Sequence, residues 1–298
     1  MKLEREPLNK PKLLDVSGYN YTGKAAVIDT LKEFSSTLVY HPKDLEFLLI
    51  RMSGGLLDLH NSLYLNWSAI RSDIAIKRFR SLIRVLSSPK TSIVNPRSLF
   101  SPTGQNYNEL LGKEFEELSY EYIRLLSEVQ WTTYWPFDDF YSGPFRSIYV
   151  KLLNLLKIYQ STFEPAYNSN FKELTSDYLD KVLTIKRTNE ELIVTSNALE
   201  VFNPTIALDL FENYKLIRVN RNPIDSYLSS VKNLKLNRDD HERRIKDFID
   251  RYNHYHLISK EHFKGHPRCI DVDFEEFVLN YSAQLDRVLN FIEIDSND

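Results

Sequence analysis

Two short stretches carry residues whose types and spacing suit the chemistry of anions. In SGYNYTGKAA, Gly18, Gly23 and Lys24 fall in the register of the phosphate-cradling pattern G-x-x-x-x-G-K-S/T, but Ala25 stands where a hydroxyl would hold magnesium. The run Gly18, Tyr19, Asn20, Tyr21, Thr22, Gly23, Lys24, Ala25 and Ala26 would offer backbone N–H groups and a helix start to a phosphate or sulfate, with Lys24 adding a full charge. Three readings stay open: a nucleotide-hydrolysing loop without its metal ligand, a loop for a phosphate-like group that needs no metal, or an ordinary glycine turn. The second stretch, LIRVNRNPIDSYLSS, places Arg221 at the end of an apolar segment and enters a helix through Asn222-Pro223, so a guanidinium lies beside a helix N-terminus. Ser229, two helical turns on, can bring its hydroxyl back toward the same anion. A surface ion pair is the plainer reading of Arg221.

These loops need elements to hold them. KLLDVSG reads as a short buried strand ending at Ser17-Gly18, and GKAAVIDTLKEF places Ala26, Val27, Thr30, Leu31 and Phe34 at helical spacing. LEFLLI reads as a further apolar strand with Glu46 on its edge. From about 56 to 186 the chain has helical periodicity in IAIKRFRSLIRVL, NYNELLGKEFEELSYEYIRLLSEV and FRSIYVKLLNLLKIY, with strand signals nearly absent, so it reads as a large helical insertion. Strand signals resume at LIVTSN and YKLIRVNR, a long charged helical stretch follows, and RCIDVDF leads into two closing helical segments. Apolar strands separated by helices predict an α/β fold: a P-loop-like parallel sheet flanked by helices, within a single domain over 1–298. Such sheets bind ligands at the carboxyl ends of their strands, where both Gly18 and Arg221 fall.

Composition narrows the function. With 38 Lys plus Arg against 41 Asp plus Glu the net charge is −3, which argues against a general affinity for nucleic acid and makes any anion site local. No run has membrane-spanning length, the N-terminus lacks a signal-peptide pattern, and the lone Cys269 suits a reducing compartment, so a cytoplasmic protein is expected. Cys269 reads as a buried inert thiol. Among 18 Tyr, 17 Phe and 3 Trp, most rings belong to the core and some are expected to line a cleft. His254, His256, His262 and His266 invite a metal reading, but 254 and 256 point to different helix faces, so a solvated or partner-facing helix is the simpler account. Asp271 and Asp273 form a D-x-D, a pattern of metal-nucleotide glycosyltransferases, and are read here as structural.

Taken together, the two loops resemble the sulfotransferases that use 3′-phosphoadenosine 5′-phosphosulfate. In that family a strand-loop-helix holds the 5′-phosphosulfate, and a later R-D/N-P-x-D-x-x-x-S segment grips the 3′-phosphate; Arg221, Asn222, Pro223, Asp225 and Ser229 match the latter in order and spacing. RCIDVDFEEFVLNYSAQLDRVLNFIEI is similar to the family's C-terminal strand and helices, with Glu276 in place of Asp. SGYNYTGKAAVIDTL and EFLLIRMSGGLLDLHNSLYLNWSAIRSDIAIKRF resemble bacterial sulfotransferase-like proteins of surface-polysaccharide gene clusters, whose loop has the form SGxxYSGxSAVxDLL. Tyr21 and Ile224 depart from the commoner Lys and Arg of the wider family.

The resemblance implies a sulfotransferase moving a sulfuryl group from that donor to a hydroxyl of a carbohydrate or polysaccharide precursor. No metal would be required, since this donor has no metal-bridged β,γ-phosphates and Ala25 needs no hydroxyl. It implies Glu46 as the base for the acceptor hydroxyl, with His41 and His60 in reserve and Lys24 beside the leaving oxygen; an exposed edge-strand glutamate is the plainer reading of Glu46. Two rivals stand: a P-loop kinase or NTPase, and a catalytically degenerate nucleotide-binding or interaction protein. The oligomeric state is open, a homodimer included.

Overall fold

The computed structural model describes residues 10–19, 21–41, 45–90, 104–127, 129–133, 144–156, 161–234, 241–263 and 265–294. In chain order these form β1 (Lys12–Ser17), α1 (Lys24–Lys32), β2 (Thr37–Val39), α2 (Leu56–Leu59), a π-helical turn (His60–Leu65), α3 (Ala69–Ser87), α4 (Tyr107–Leu110), α5 (Glu114–Leu126), β3 (Trp131–Thr133), α6 (Pro144–Leu155), β4 (Ser161–Phe163) and α7 (Phe171–Leu183). Then follow β5 (Leu192–Ser196), α8 (Thr205–Leu210), β6 (Tyr214–Asn220), α9 (Pro223–Leu234), α10 (His241–His262), β7 (Cys269–Asp273), α11 (Phe274–Leu279) and α12 (Tyr281–Ile292). They divide into two compact units, one formed up to Arg51 and again from Lys186 onward, the other from Met52 to Ile185.

The first unit is a five-stranded sheet in the order β2-β5-β1-β6-β7, and all of its pairings are parallel. The central strand β1 is buried from Leu13 to Ser17, as expected of a strand covered on both faces. Its Leu14 and Val16, with Val194, Ile217, Val219 and Val272 from the neighbouring strands, pack with Val27, Ile28 and Leu31 of α1 and Val288, Leu289 and Ile292 of α12. Each such buried side chain contributes about 1.5–3 kcal/mol relative to exposure, and the packing fixes where the strands end. The predicted parallel sheet flanked by helices is therefore the fold of this unit. LEFLLI, however, forms no strand: 45–48 runs as irregular chain into a turn, although Leu45, Phe47, Leu49 and Ile50 are buried. Apolar alternation reports burial and does not supply a ladder partner. Glu46 consequently sits on a loop.

The second unit is built on α3, α5 and α7. Its α3 starts at Ser68, whose Oγ accepts from the Arg71 N–H. Tyr122 and Tyr178 stack with ring centroids 4.3 Å apart; their hydroxyls bond Thr175 at 2.7 Å and Ser119 at 2.6 Å, and burial pushes both phenols above their ordinary range. The continuous helix expected over NYNELLGKEFEELSYEYIRLLSEV is interrupted, because Gly112 takes φ +102° between α4 and α5. Sequence reading also missed the antiparallel pair β3 and β4, each three residues long and too short for a periodicity signal. No helix among the described residues is long and apolar enough to cross a membrane.

His60 lies in this unit, on the π-helical turn, 6% exposed, with neither ring nitrogen hydrogen-bonded. It stacks on Tyr64 and Phe171, and burial followed by the Lys172 ammonium lowers its pKa from the usual histidine value. Because the folded chain resists the proton that the unfolded chain accepts, His60 costs stability as pH falls below the ordinary histidine value of about 6.5. His60→Phe is expected to keep the stack and to reduce the drop in urea midpoint between neutral and mildly acidic solution. An unchanged drop would show that His60 does not set it.

Candidate functional site

The carboxyl ends of β1, β5 and β6 converge on a cavity of about 470 Å³ lined by Gly18, Tyr21, Thr22, Gly23, Lys24, Ala25, Asn197, Arg221 and Ser229. The two loops singled out in the sequence thus share one cavity. Asn20 lies outside the described residues. Tyr19 turns its ring into a second cavity, and Ala26 is the third residue of α1, where its N–H bonds the Gly23 carbonyl at 2.9 Å.

The glycines are placed where side chains fail. A Cβ on Gly18 would strike the Thr22 hydroxyl and approach the Val219 carbonyl to 2.8 Å. Gly23, at φ +83°, precedes α1 in the left-handed region, and a Cβ there would enter the Phe274 ring. The helix that follows has no side-chain cap and no acid in its first turn. Its leading N–H groups and the positive end of its dipole are therefore uncompensated by side chains. Lys24 stands in that first turn, where a cation is disfavoured, and burial lowers its pKa while Asp15 and Glu46 raise it and Arg51 lowers it. Thr22 adds a buried hydroxyl without a hydrogen-bond partner. Such a set of donors suits an anion.

Arg221 closes the other side. Its Nη1 donates to the Tyr21 carbonyl at 3.2 Å, its guanidinium lies 4.8 Å above the Phe274 ring, and its Nε is buried without a hydrogen bond, 4.0 Å from Glu275. The left-handed backbone of Tyr21, φ 54°, accompanies this clip between the loops. Asn222 begins α9 by accepting from the Ile224 N–H at 2.9 Å, and Ser229 lines the cavity two turns on.

Glu46 pairs with Arg51 at 3.0 Å, and Arg51 also donates to the Asn197 carbonyl at 2.6 Å, so the Glu46 loop is tied to the end of β5. His41 lies 3.2 Å from Asp29 of α1. His256 bonds the Tyr252 carbonyl and His266 approaches Asp209, so these two histidines serve different partners. Asp271 is held in a two-point pair with Arg218 at 2.7 and 2.8 Å, which commits that member of the D-x-D to the sheet edge. Burial pushes the Cys269 thiol up to about 12.

Sequence reading missed Asp15. Fully buried in β1, it accepts from Thr195 Oγ1 at 3.0 Å, from the Ala198 and Leu199 N–H groups at 2.9 and 3.0 Å, and from Ser17. It fixes the chain leaving β5 beside the cavity, and it favours the charged form of Lys24. A lone carboxylate inside KLLDVS was the available signal, since an acid is buried only when its oxygens are satisfied.

Fold and site together define an α/β protein with a cavity at the carboxyl edge of a parallel sheet, its lining rich in groups that suit an anion. Residues 157–298 match the family model described as "Sulfotransferase family", and the matched stretch carries Arg221 and Ser229. No curated protein sequence matches the chain. The chain is similar to three solved structures. The sulfotransferase domain from the curacin biosynthetic pathway is 13% identical, with 96% of this chain and 74% of that one covered and a TM-score of 0.38. The corresponding figures for the sulfotransferase domain from the Synechococcus PCC 7002 olefin synthase are 13%, 99%, 78% and 0.37. For sulfotransferase STF9 from Mycobacterium avium they are 11%, 97%, 65% and 0.38.

Proposed function

We propose that this protein transfers a sulfuryl group from 3′-phosphoadenosine 5′-phosphosulfate to a hydroxyl of a carbohydrate or polysaccharide precursor. The observation that carries the reading is the single cavity shared by the 18–25 loop and by Arg221 and Ser229, which offers two separate places for negative charge. The loop N–H groups, Thr22 and Lys24 would hold the phosphosulfate, and Arg221 with Ser229 the 3′-phosphate. The unpaired Thr22 hydroxyl and the unpaired Arg221 Nε fit that donor. Ala25 offers no hydroxyl to magnesium, in keeping with a donor that needs none.

In the transfer, the acceptor oxygen bonds to sulfur as the bond from sulfur to the bridging oxygen breaks. The electron pair leaves on that oxygen, and the acceptor proton passes to a base, for which Glu46 is proposed. Loose in-line transfers of this kind draw most of their catalysis from positioning and fixed positive charge, which Lys24 and the α1 N-terminus supply. His41, held by Asp29, remains the reserve.

The test is ligand discrimination. Adenosine 3′,5′-bisphosphate is expected to raise the melting temperature well above the effect of AMP or ATP, with or without magnesium. Equal shifts for all three, or a shift for ATP that depends on magnesium, would overturn the reading in favour of a kinase or NTPase.

A further inference from the structure

Besides its two anion-holding loops, the cavity at the carboxyl ends of β1, β5 and β6 has a third contributor, Asn197, the residue that follows β5. Its backbone is left-handed, φ 52°, a conformation that costs energy for any residue but glycine. The surroundings enforce it. The Asn197 N–H donates to the Val16 carbonyl at 3.4 Å, the Asn197 carbonyl accepts from Arg51 Nε at 2.6 Å, and the N–H groups of Ala198 and Leu199 end on the buried Asp15 carboxylate at 2.9 and 3.0 Å. The main chain is thus pinned on both sides of the cavity wall, whereas the Asn197 amide makes no hydrogen bond with any described residue.

Sheet order says which part of a ligand this amide meets. In the run β5-β1-β6, the 18–25 loop leaves the middle strand, Arg221 and Ser229 come from β6 and the helix after it, and Asn197 stands on the opposite side, at β5. A donor with its 3′-phosphate on Arg221 and Ser229 and its 5′-phosphosulfate over the loop therefore directs its terminal sulfuryl group toward β5. The other reactive groups gather on that side. Lys24 lines the same cavity, and Glu46 is tied to the Asn197 carbonyl through Arg51, which it meets at 3.0 Å.

We infer that Asn197 is a catalytic residue of the transfer: its side-chain N–H donates to a sulfuryl oxygen of the donor and holds the sulfur in place for in-line attack. This rests on the transfer reading above and deepens it. A neutral amide suits the place, because it orients the sulfuryl oxygens without taking the acceptor proton and without adding a charge to compete with Lys24 at the bridging oxygen. Glycine would meet the backbone demand at lower cost, but it would leave the sulfuryl end of the cavity without that donor.

Calorimetry on the full chain tests it, with adenosine 3′,5′-bisphosphate and 3′-phosphoadenosine 5′-phosphosulfate as probes and no acceptor present; the two nucleotides differ by the sulfuryl group. Asn197→Gly, which removes the amide and adopts the left-handed backbone freely, is expected to weaken the phosphosulfate about tenfold or more, the scale of one charge-assisted hydrogen bond, with the bisphosphate affinity unchanged. Asn197→Asp, which keeps the shape and turns the donor into an acceptor, should lose more of the phosphosulfate affinity than of the bisphosphate affinity, and it carries the test if the glycine variant does not fold. Wild-type affinity for both nucleotides in Asn197→Gly would show that the residue serves the turn alone and would overturn the inference. Equal losses for both would overturn it too, making Asn197 a support of the cavity wall. Failure of the phosphosulfate to bind the wild-type chain would instead overturn the donor reading beneath it.

Discussion

Arg221→Ala is expected to weaken adenosine 3′,5′-bisphosphate binding by about 2 kcal/mol or more, about 30-fold, while leaving AMP binding nearly unchanged. The magnitude is that of a charge-assisted contact to phosphate from a partly buried guanidinium, and the Arg221 Nε has no hydrogen bond to keep it from a ligand. The comparison with AMP separates two ways in which Arg221 could matter. Its Nη1 also clips the Tyr21 carbonyl, so truncation could act by loosening the 18–25 loop. Loosening would weaken both nucleotides alike; loss of a 3′-phosphate contact weakens only the bisphosphate. Titration calorimetry with both ligands decides, with circular dichroism confirming the fold. An unchanged bisphosphate affinity moves the 3′-phosphate elsewhere, and parallel losses reassign Arg221 to loop support.

The framework of this cavity was legible because it is local. KLLDVSG, LIVTSN and YKLIRVNR are apolar runs that each end in a polar turn, and parallel sheets need both features in strands covered on two faces. Arg221 and Ser229 could be paired from spacing alone because Pro223 and the helix after it fix their separation. What stayed hidden depends on partners distant in sequence. Asp15 looks like an intruder in an apolar strand until the Ala198 and Leu199 N–H groups arrive from more than 180 positions away. LEFLLI has the alternation of a strand, yet it folds as irregular chain and a turn. His256 was read with other histidines as a surface or metal group; that the ring lines a cavity with Tyr19 and Phe202 follows only from the packing of α10. The interruption at Gly112 was visible as a lone glycine, but its left-handed backbone was not.

Glu46→Gln is expected to lower sulfuryl transfer by about a hundredfold or more while leaving adenosine 3′,5′-bisphosphate affinity intact, the usual scale for losing a general base. The structure supplies a competing account, and the experiment must separate the two. Glu46 favours the charged form of Lys24, whose pKa burial lowers, and it pairs with Arg51, which holds the end of β5. Gln keeps the volume and can still accept from Arg51, so the loop should hold its place; what goes is the negative charge. If Glu46 acts only by keeping Lys24 cationic, the folded pKa of Lys24 falls further in the variant. The rate then keeps its plateau and loses activity at a lower alkaline pH than the wild type does. If Glu46 takes the acceptor proton, the rate drops at every pH. Turnover across pH with a carbohydrate acceptor that the wild-type protein sulfates distinguishes these outcomes. A near-normal plateau with an earlier alkaline fall makes Glu46 a positioning residue for Lys24, and a profile indistinguishable from wild type transfers the search for the base to His41, which Asp29 already orients.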